Sequence, residues 1–219
     1  MGKLLCILGK SGVGKDTLLN NIIKDSHINI TPIIPYTTRP KRENEIDGVH
    51  YHFVSKSYMD KLERKNKIIE RREYPTKYGT WHYFTVFFDI SSSSTFITIT
   101  TPYGSKMLSE KIGKDNLIIV YLEASDKVRL ERSILRESKE YEPNYSEVCR
   151  RFLADEEDFR NDDFFQDLMI FTINANFDAT SCLNQFKSIF SKIPYYESKS
   201  LLCASFKQKI ENYMDVGIF

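Results

Sequence analysis

Apolar residues along this chain fall into two patterns, and the switching between them lays out its elements. Leu4, Leu5, Cys6, Ile7 and Leu8 are unbroken, as in a strand covered on both faces. Leu18, Leu19, Ile22 and Ile23 follow at helical spacing, so a helix is expected directly after a glycine-rich gap. Strand patterns return at residues 95–100 (TFITIT), 117–122 (LIIVYL) and 168–173 (LMIFTI). Helices are expected over 102–112, from a cap at Ser125 to about 139, from Ser146 onward, and over about 179–193. Buried strands alternating with helices predict an α/β fold, a parallel sheet flanked by helices.

Residues 33–88 interrupt that alternation. Ile33 and Ile34, between Pro32 and Pro35, read as a short edge strand. Residues 57–60 resemble a capping box with Asp60 in the acidic place, starting a helix through Leu62. Residues 67–74 and 81–88 read as strands around a turn at 75–80, the second rich in aromatic and β-branched side chains. The stretch is expected to form an inserted β-rich lobe facing the core across a cleft. The expected organisation is one domain over 1–195, with a core of about 1–32 and 89–195 and a lobe of about 33–88. Polar residues 137–146 would form a short lid that orders on binding. Leu201, Leu202, Phe206, Ile210 and Tyr213 can line one face of a helix in the extension 196–219.

Charge narrows the function. Lys plus Arg number 31 against 30 Asp plus Glu, so bulk charge does not point to a nucleic-acid binder, though a local basic pocket remains open. Cys6, Cys149, Cys182 and Cys203 stand far apart, which suits reduced cytoplasmic thiols rather than a zinc site or disulfide framework. No apolar run is long enough to cross a membrane, and the first is a core strand rather than a signal peptide. His50 and His52 would share a strand face, but two histidines without further ligands do not make a metal site. No protein partner is indicated.

The chemistry starts at the gap after the first strand. Gly9, Gly14 and Lys15 spell G-x-x-x-x-G-K, with strand before and helix after, the context a phosphate-binding loop requires. Glycines let backbone N–H groups close around phosphate oxygens, the helix start adds partial positive charge, and Lys15 reaches the outer phosphates. Asp16 stands where the motif takes Ser or Thr, and the hydroxyl comes one place later at Thr17. Residues 36–55 pack Arg39, Lys41 and Arg42 with Glu43, Glu45 and Asp47 and close on Tyr51 and Phe53, which suits either a polar-ligand loop or a solvated hairpin. Arg129, Arg132 and Arg136 recur on one helix face.

With these stretches in place, the chain resembles the guanylate kinases, within the nucleoside monophosphate kinases, over roughly residues 3–190. The resemblance rests on the phosphate loop, on Thr37-Thr-Arg-Pro-x-Arg-x-x-Glu45 and on Asp47-Gly-Val-x-Tyr-x-Phe-Val54. It implies a P-loop phosphotransferase making ADP and GDP (or dGDP) from ATP and GMP (or dGMP), with Mg. ATP would be held by Gly9, Ser11, Gly12, Val13, Gly14, Lys15, Asp16 and Thr17, with Asn174 near the adenine and Thr17 or Asp16 meeting the metal through water. Arg39, Arg42 and Tyr51 would grip the acceptor phosphate, with Tyr78 assisting and Glu45 nearby. Glu70 and Thr80 would read guanine, with Thr100 beside them. Arg132, Arg136 and Arg151 would close over the transferred group with Lys15, while Arg129 and Arg150 are read as structural. The chain departs from the family at Thr98 and Thr100, where the resemblance implies acidic residues, and at Tyr36, where it implies a small serine and where the larger ring is expected to reshape the base pocket. The alternatives are a kinase of another monophosphate or phosphorylated small molecule, and a non-catalytic binding module of the same fold.

Overall fold

The computed structural model describes residues 2–41, 45–76, 79–86, 88, 94–160, 165 and 167–193. Five parallel strands form the core sheet: β1 (Lys3–Leu8), β2 (Thr31–Pro32), β7 (Thr95–Ile99), β8 (Leu117–Glu123) and β9 (Met169–Asn174), in the order β2-β7-β1-β8-β9. β1 lies at its centre, which is why its apolar run has no polar interruption. The run divides by parity, as a strand must. Leu5 and Ile7 join Ile97, Val120 and Ile173 under α1 (Lys15–Lys24) and α6 (Ala179–Phe190), and Phe186 of α6 is fully buried there. Leu4, Cys6 and Leu8 face the other way, with Leu108 and Ile112 of α3 (Pro102–Ile112) and Ile69 of the lobe. The lobe therefore grows from the same core that holds the phosphate loop.

The second sheet has the order β4-β3-β6-β5, built from β3 (Tyr36–Thr37), β4 (His52–Phe53), β5 (Ile68–Thr76) and β6 (Gly79–Val86). β3 and β4 are parallel and the other pairs antiparallel. α2 (Lys56–Arg64) starts two residues earlier than the capping-box reading, because Ser55 accepts the Tyr58 N–H. The edge strand of the core sits at Thr31–Pro32 rather than at Ile33 and Ile34, whose segment leads out toward the lobe. α4 (Asp126–Glu137) is capped by Ser125. Turns at 138–144 lead to α5 (Tyr145–Asp158), whose cap is Asn144 rather than a residue at 146. The expected terminal helix after 195 lies outside the described residues. Among them, no helix is long and apolar enough to cross a membrane.

Candidate active site

The phosphate loop connects the carboxyl end of β1 to α1. Gly12 and Gly14 have positive φ (78° and 100°), open to glycine and rarely to other residues. A β-carbon on Gly12 would press on the Arg129 carbonyl and on Ser133 Oγ, so α4 packs directly against the loop. Gly14 caps α1 with no side-chain hydrogen bond, which leaves first-turn amides for a ligand. Lys15 Nζ donates to Gly9 O at 2.6 Å and to Lys10 O at 3.2 Å, folded over the loop it serves. Burial lowers its pKa, opposed by the charges of Asp16 and Asp155. Asp16 and Thr17 are both exposed at the helix start.

Helix α5 holds the loop from the side. Ser11 N–H donates to Asp155 Oδ2 at 2.6 Å, and Lys10 Nζ to Glu156 Oε2 at 2.7 Å. Arg129, only 1% exposed, donates to Asp126 and Glu156 and stacks on Phe152 at 4.5 Å. The expected structural role of Arg129 is thereby met in geometry. Replacing it by Ala should destabilise the fold by about 3 kcal/mol in urea unfolding, the low end for a broken buried ion pair because Asp126 and Glu156 keep solvent contact.

The other arginines divide. Arg136 and Arg151 line one small cleft with Ser11, Glu137, Glu147 and Phe152, and Arg151 Nε donates to Glu147 at 2.8 Å. Arg132, expected over the transferred group, instead donates to the carbonyls of Ala175 (2.8 Å), Phe177 (2.9 Å) and Val13 (3.4 Å). The β9–α6 turn supplies the first two carbonyls and the phosphate loop the third, so in this structure the guanidinium ties that turn and the loop to α4. Asn174 ends β9 as expected, but Oδ1 accepts from Asn176, the turn-forming use of an Asn.

On the lobe, Arg39 is 4% exposed and held bidentately by Glu45 at 2.8 and 2.6 Å. Its Nε donates to Tyr83 Oη at 3.0 Å, and the rings of Tyr51 and Phe53 lie within 5.7 Å of it. Burial opposes its charge, and the hydrogen bonds and charges of Glu45 and Tyr83 together outweigh that and raise its pKa. Tyr51 is pushed up to about 12, first by burial and then by Asp16, so it remains an O–H donor. Arg42 and Tyr78 lie outside the described residues.

The other end of the lobe face is a buried carboxylate pocket. A β-bulge between Ile68 and Glu70 shifts the β5–β6 register, so Ile68 opposes Val86 while Glu70 opposes Thr85. That turns Glu70 toward the core, where it is 2% exposed. Thr85 Oγ1 donates to Glu70 Oε1 at 2.8 Å, and Arg72 Nε stands 3.2 Å from Oε2. Glu70 Oε2 and Thr100 Oγ1 are both buried without a hydrogen bond among the described residues. They flank one spot: a β-carbon on Gly104 would press on Thr100 Oγ1 and stand 3.4 Å from Glu70 Oε2.

Two expected pocket residues are elsewhere. Thr80 lies opposite Pro75 at the exposed end of the hairpin, five residues along β6 from Thr85, so Thr85 is the hydroxyl at Glu70. Tyr36 pairs with Phe84 and His52 on the opposite sheet face from Thr37, Tyr83 and Glu70, and its ring stacks on Phe84 and lies tilted against His52. Its ring thus lies on the sheet face away from Glu70. Thr98 donates to Ile33 O at 3.1 Å and serves the sheet edge. Arg72, Tyr83, Thr85 and Asp155 were missed in the sequence. The strand period placing Arg72 with Glu70 was readable there; the bulge that aims both was not.

Comparison with known proteins fits this geometry. The sequence model described as "Guanylate kinase" matches residues 1–164. The guanylate kinase of Helicobacter hepaticus is 48% identical over 80 residues, covering 36% of this chain and 40% of that protein. That of Bartonella henselae is 33% identical over 133 residues, covering 60% and 58%. The aligned part of this chain thus spans about half or less of the curated relatives' length. The crystal structure of guanylate kinase from Anaplasma phagocytophilum superposes with a TM-score of 0.58 over 87% of this chain and 85% of that one, at 16% identity, which supports the fold. With its phosphate loop, its two-sheet architecture and a family match over most of its length, this chain belongs to the guanylate kinase family.

Proposed function

We propose that this chain transfers the γ-phosphoryl group of ATP to GMP or dGMP, giving ADP and GDP or dGDP. The observation that carries the acceptor assignment is the pair of buried atoms, Glu70 Oε2 and Thr100 Oγ1, left without hydrogen bonds at one spot. Guanine offers N–H donors at N1 and N2 side by side, and a carboxylate accepts both. Adenine has an acceptor at N1 and would leave a buried group unpaired.

The acceptor phosphate is already ionised at neutral pH, so the reaction needs alignment and charge cover more than a general base. On this reading the loop amides and Lys15 hold the donor. Arg39, held in place by Glu45, and the Tyr51 hydroxyl meet the acceptor phosphate, with Arg42 and Tyr78 assigned to the same grip by the family resemblance. Arg136 and Arg151 cover the charge passing between them from the cleft beside Ser11. Arg132 holds the loop after Asn174, under the donor base. Bound Mg would neutralise phosphate charge, and the exposed oxygens of Asp16 and Thr17 fit a cation held through water. Nucleotides are the ligands on this reading, and the buried free thiols of Cys6 and Cys182 suit the cytoplasm.

The test is an ATP-dependent assay across GMP, dGMP, AMP, CMP and UMP. GMP and dGMP should lead in kcat/KM; a lead for AMP would reject the guanine assignment and favour another acceptor for the same fold.

A further inference from the structure

The acceptor pocket holds a second charged side chain that the family resemblance does not assign. Arg72 follows Glu70 by two residues on β5, and beyond the bulge the strand alternation puts both on the face toward the core. Its Nε lies 3.2 Å from Glu70 Oε2 and its Nη2 3.5 Å from Oε1, a side-on approach to both oxygens. The Glu70 side chain has no exposed surface, and that of Arg72 is 18% exposed. Among the described residues, Arg72 is the cation in ion-pair contact with Glu70.

We propose that Arg72 is a specificity-determining residue of the acceptor site: its guanidinium supplies the countercharge that keeps both oxygens of Glu70 hydrogen-bond acceptors. A carboxylate with no solvent needs a charged partner or else takes up a proton. The two forms read different bases. A carboxylate accepts from the adjacent donors of guanine, N1–H and N2–H. A carboxylic acid carries one donor and one acceptor, which matches adenine N1 and its N6 amino group. The base choice thus depends on Arg72 although Arg72 need not touch the base.

Among the described residues, the other groups around Glu70 bring no second positive charge. Thr85 on β6, Thr100 after β7 and Gly104 on α3 are neutral, and Tyr74, next on the β5 face, is a phenol. The Cys6 thiol on β1 is pushed up by burial and then by the charge of Glu70. Arg72 in turn faces Glu70, Tyr74 and Tyr51, and Asp158 of α5 feels its charge. Burial works against the Arg72 charge, and Glu70, Tyr74 and Tyr51 together outweigh it. Thr98 and Thr100 add no negative charge, and one guanidinium balances the pocket.

This inference rests on the GMP kinase reading, and the experiment separates the two. The kcat/KM values for GMP and AMP are measured for the wild type, Arg72→Met, Arg72→Lys, Glu70→Gln and the double variant, at pH 8 and pH 6. The ratio of the two substrates is the readout, so partial misfolding of a variant cancels. The GMP:AMP ratio is expected to fall about ten- to hundredfold in Arg72→Met. The loss should be greater at pH 6, the KM for ATP should stay unchanged, and Arg72→Lys should restore much of the ratio. In a Glu70→Gln background, Arg72→Met should leave the ratio where it is, because an amide does not titrate. A wild type that fails to prefer GMP overturns the parent reading. A wild type that prefers GMP, with Arg72→Met keeping its ratio at both pH values, overturns the role of Arg72 alone, as does an equal further loss in the Glu70→Gln background.

Discussion

Replacing Lys15 by methionine is expected to lower kcat on the order of a thousandfold, with the fold intact by circular dichroism and thermal melting. The expectation follows from where the ammonium sits. Its two carbonyl partners, Gly9 O and Lys10 O, belong to the glycine loop that the proposed function assigns to the donor phosphates, so on that reading the charge is delivered at the donor. Removing a preorganised charge aimed at a transferring group costs roughly a hundred- to a thousandfold or more in comparable sites. The aliphatic stem of methionine fills the same space, so little stability should be lost. Arginine is not expected to rescue, because a planar fork does not fit where a compact ammonium meets two carbonyls of one tight loop. A purely binding role for the chain would predict no such sensitivity, and a Lys15→Met protein with undiminished turnover would remove the phosphate loop from the mechanism.

Glu70→Gln is the second large effect. It should lower kcat/KM for GMP by about a hundredfold or more while leaving the KM for ATP within about twofold. The amide is isosteric, so Thr85 still has an oxygen to donate to and the packing survives. What changes is the pattern presented to the base: one acceptor becomes a donor, opposed to a guanine donor in a site without solvent. AMP should gain relative to GMP for the same reason. Parallel steady-state measurements with varied ATP and varied GMP check it; equal losses on both sides would show that Glu70 supports the fold of the cleft rather than the base.

The two experiments probe opposite ends of one arrangement, and the packing that couples those ends is the core cluster joining Ile69 of the lobe to Leu4, Cys6 and Leu8 of β1. Tyr51 feels the burial of the lobe and the charge of Asp16 on the loop. Glu70 influences the Cys6 thiol of the strand that leads into the loop. Donor and acceptor sites share the core around β1 rather than meeting through a flexible linker. The acidic start of the Asp155–Asp158 run, unremarkable as a surface pattern, takes part in this coupling. Asp155 occupies the Ser11 amide, and Glu156 holds both Lys10 and Arg129.

Local pattern was enough for the phosphate loop, the parallel sheet and the existence of a β-rich insertion. Each is encoded by residues adjacent in the chain: an apolar run set by central burial, glycines required by positive φ, and a period that changes from strand to helix. Arg39, Glu45, Tyr51 and Glu70 were likewise legible as motif residues. Orientation across strands was not. A bulge of one residue in β5 decides that Glu70 points to the core, strand pairing puts Tyr36 behind the sheet and Thr80 at its exposed end, and the β9–α6 turn takes up Arg132. Such outcomes depend on which strand lies opposite and how many residues each contributes, and because side chains alternate with period two, a single-residue shift reverses a face. The sequence by itself thus determined which chemical groups this protein brings to the proposed grip on two phosphates and a base; only the tertiary structure decided which of them come together, because register and long-range packing are set by residues far apart in the chain.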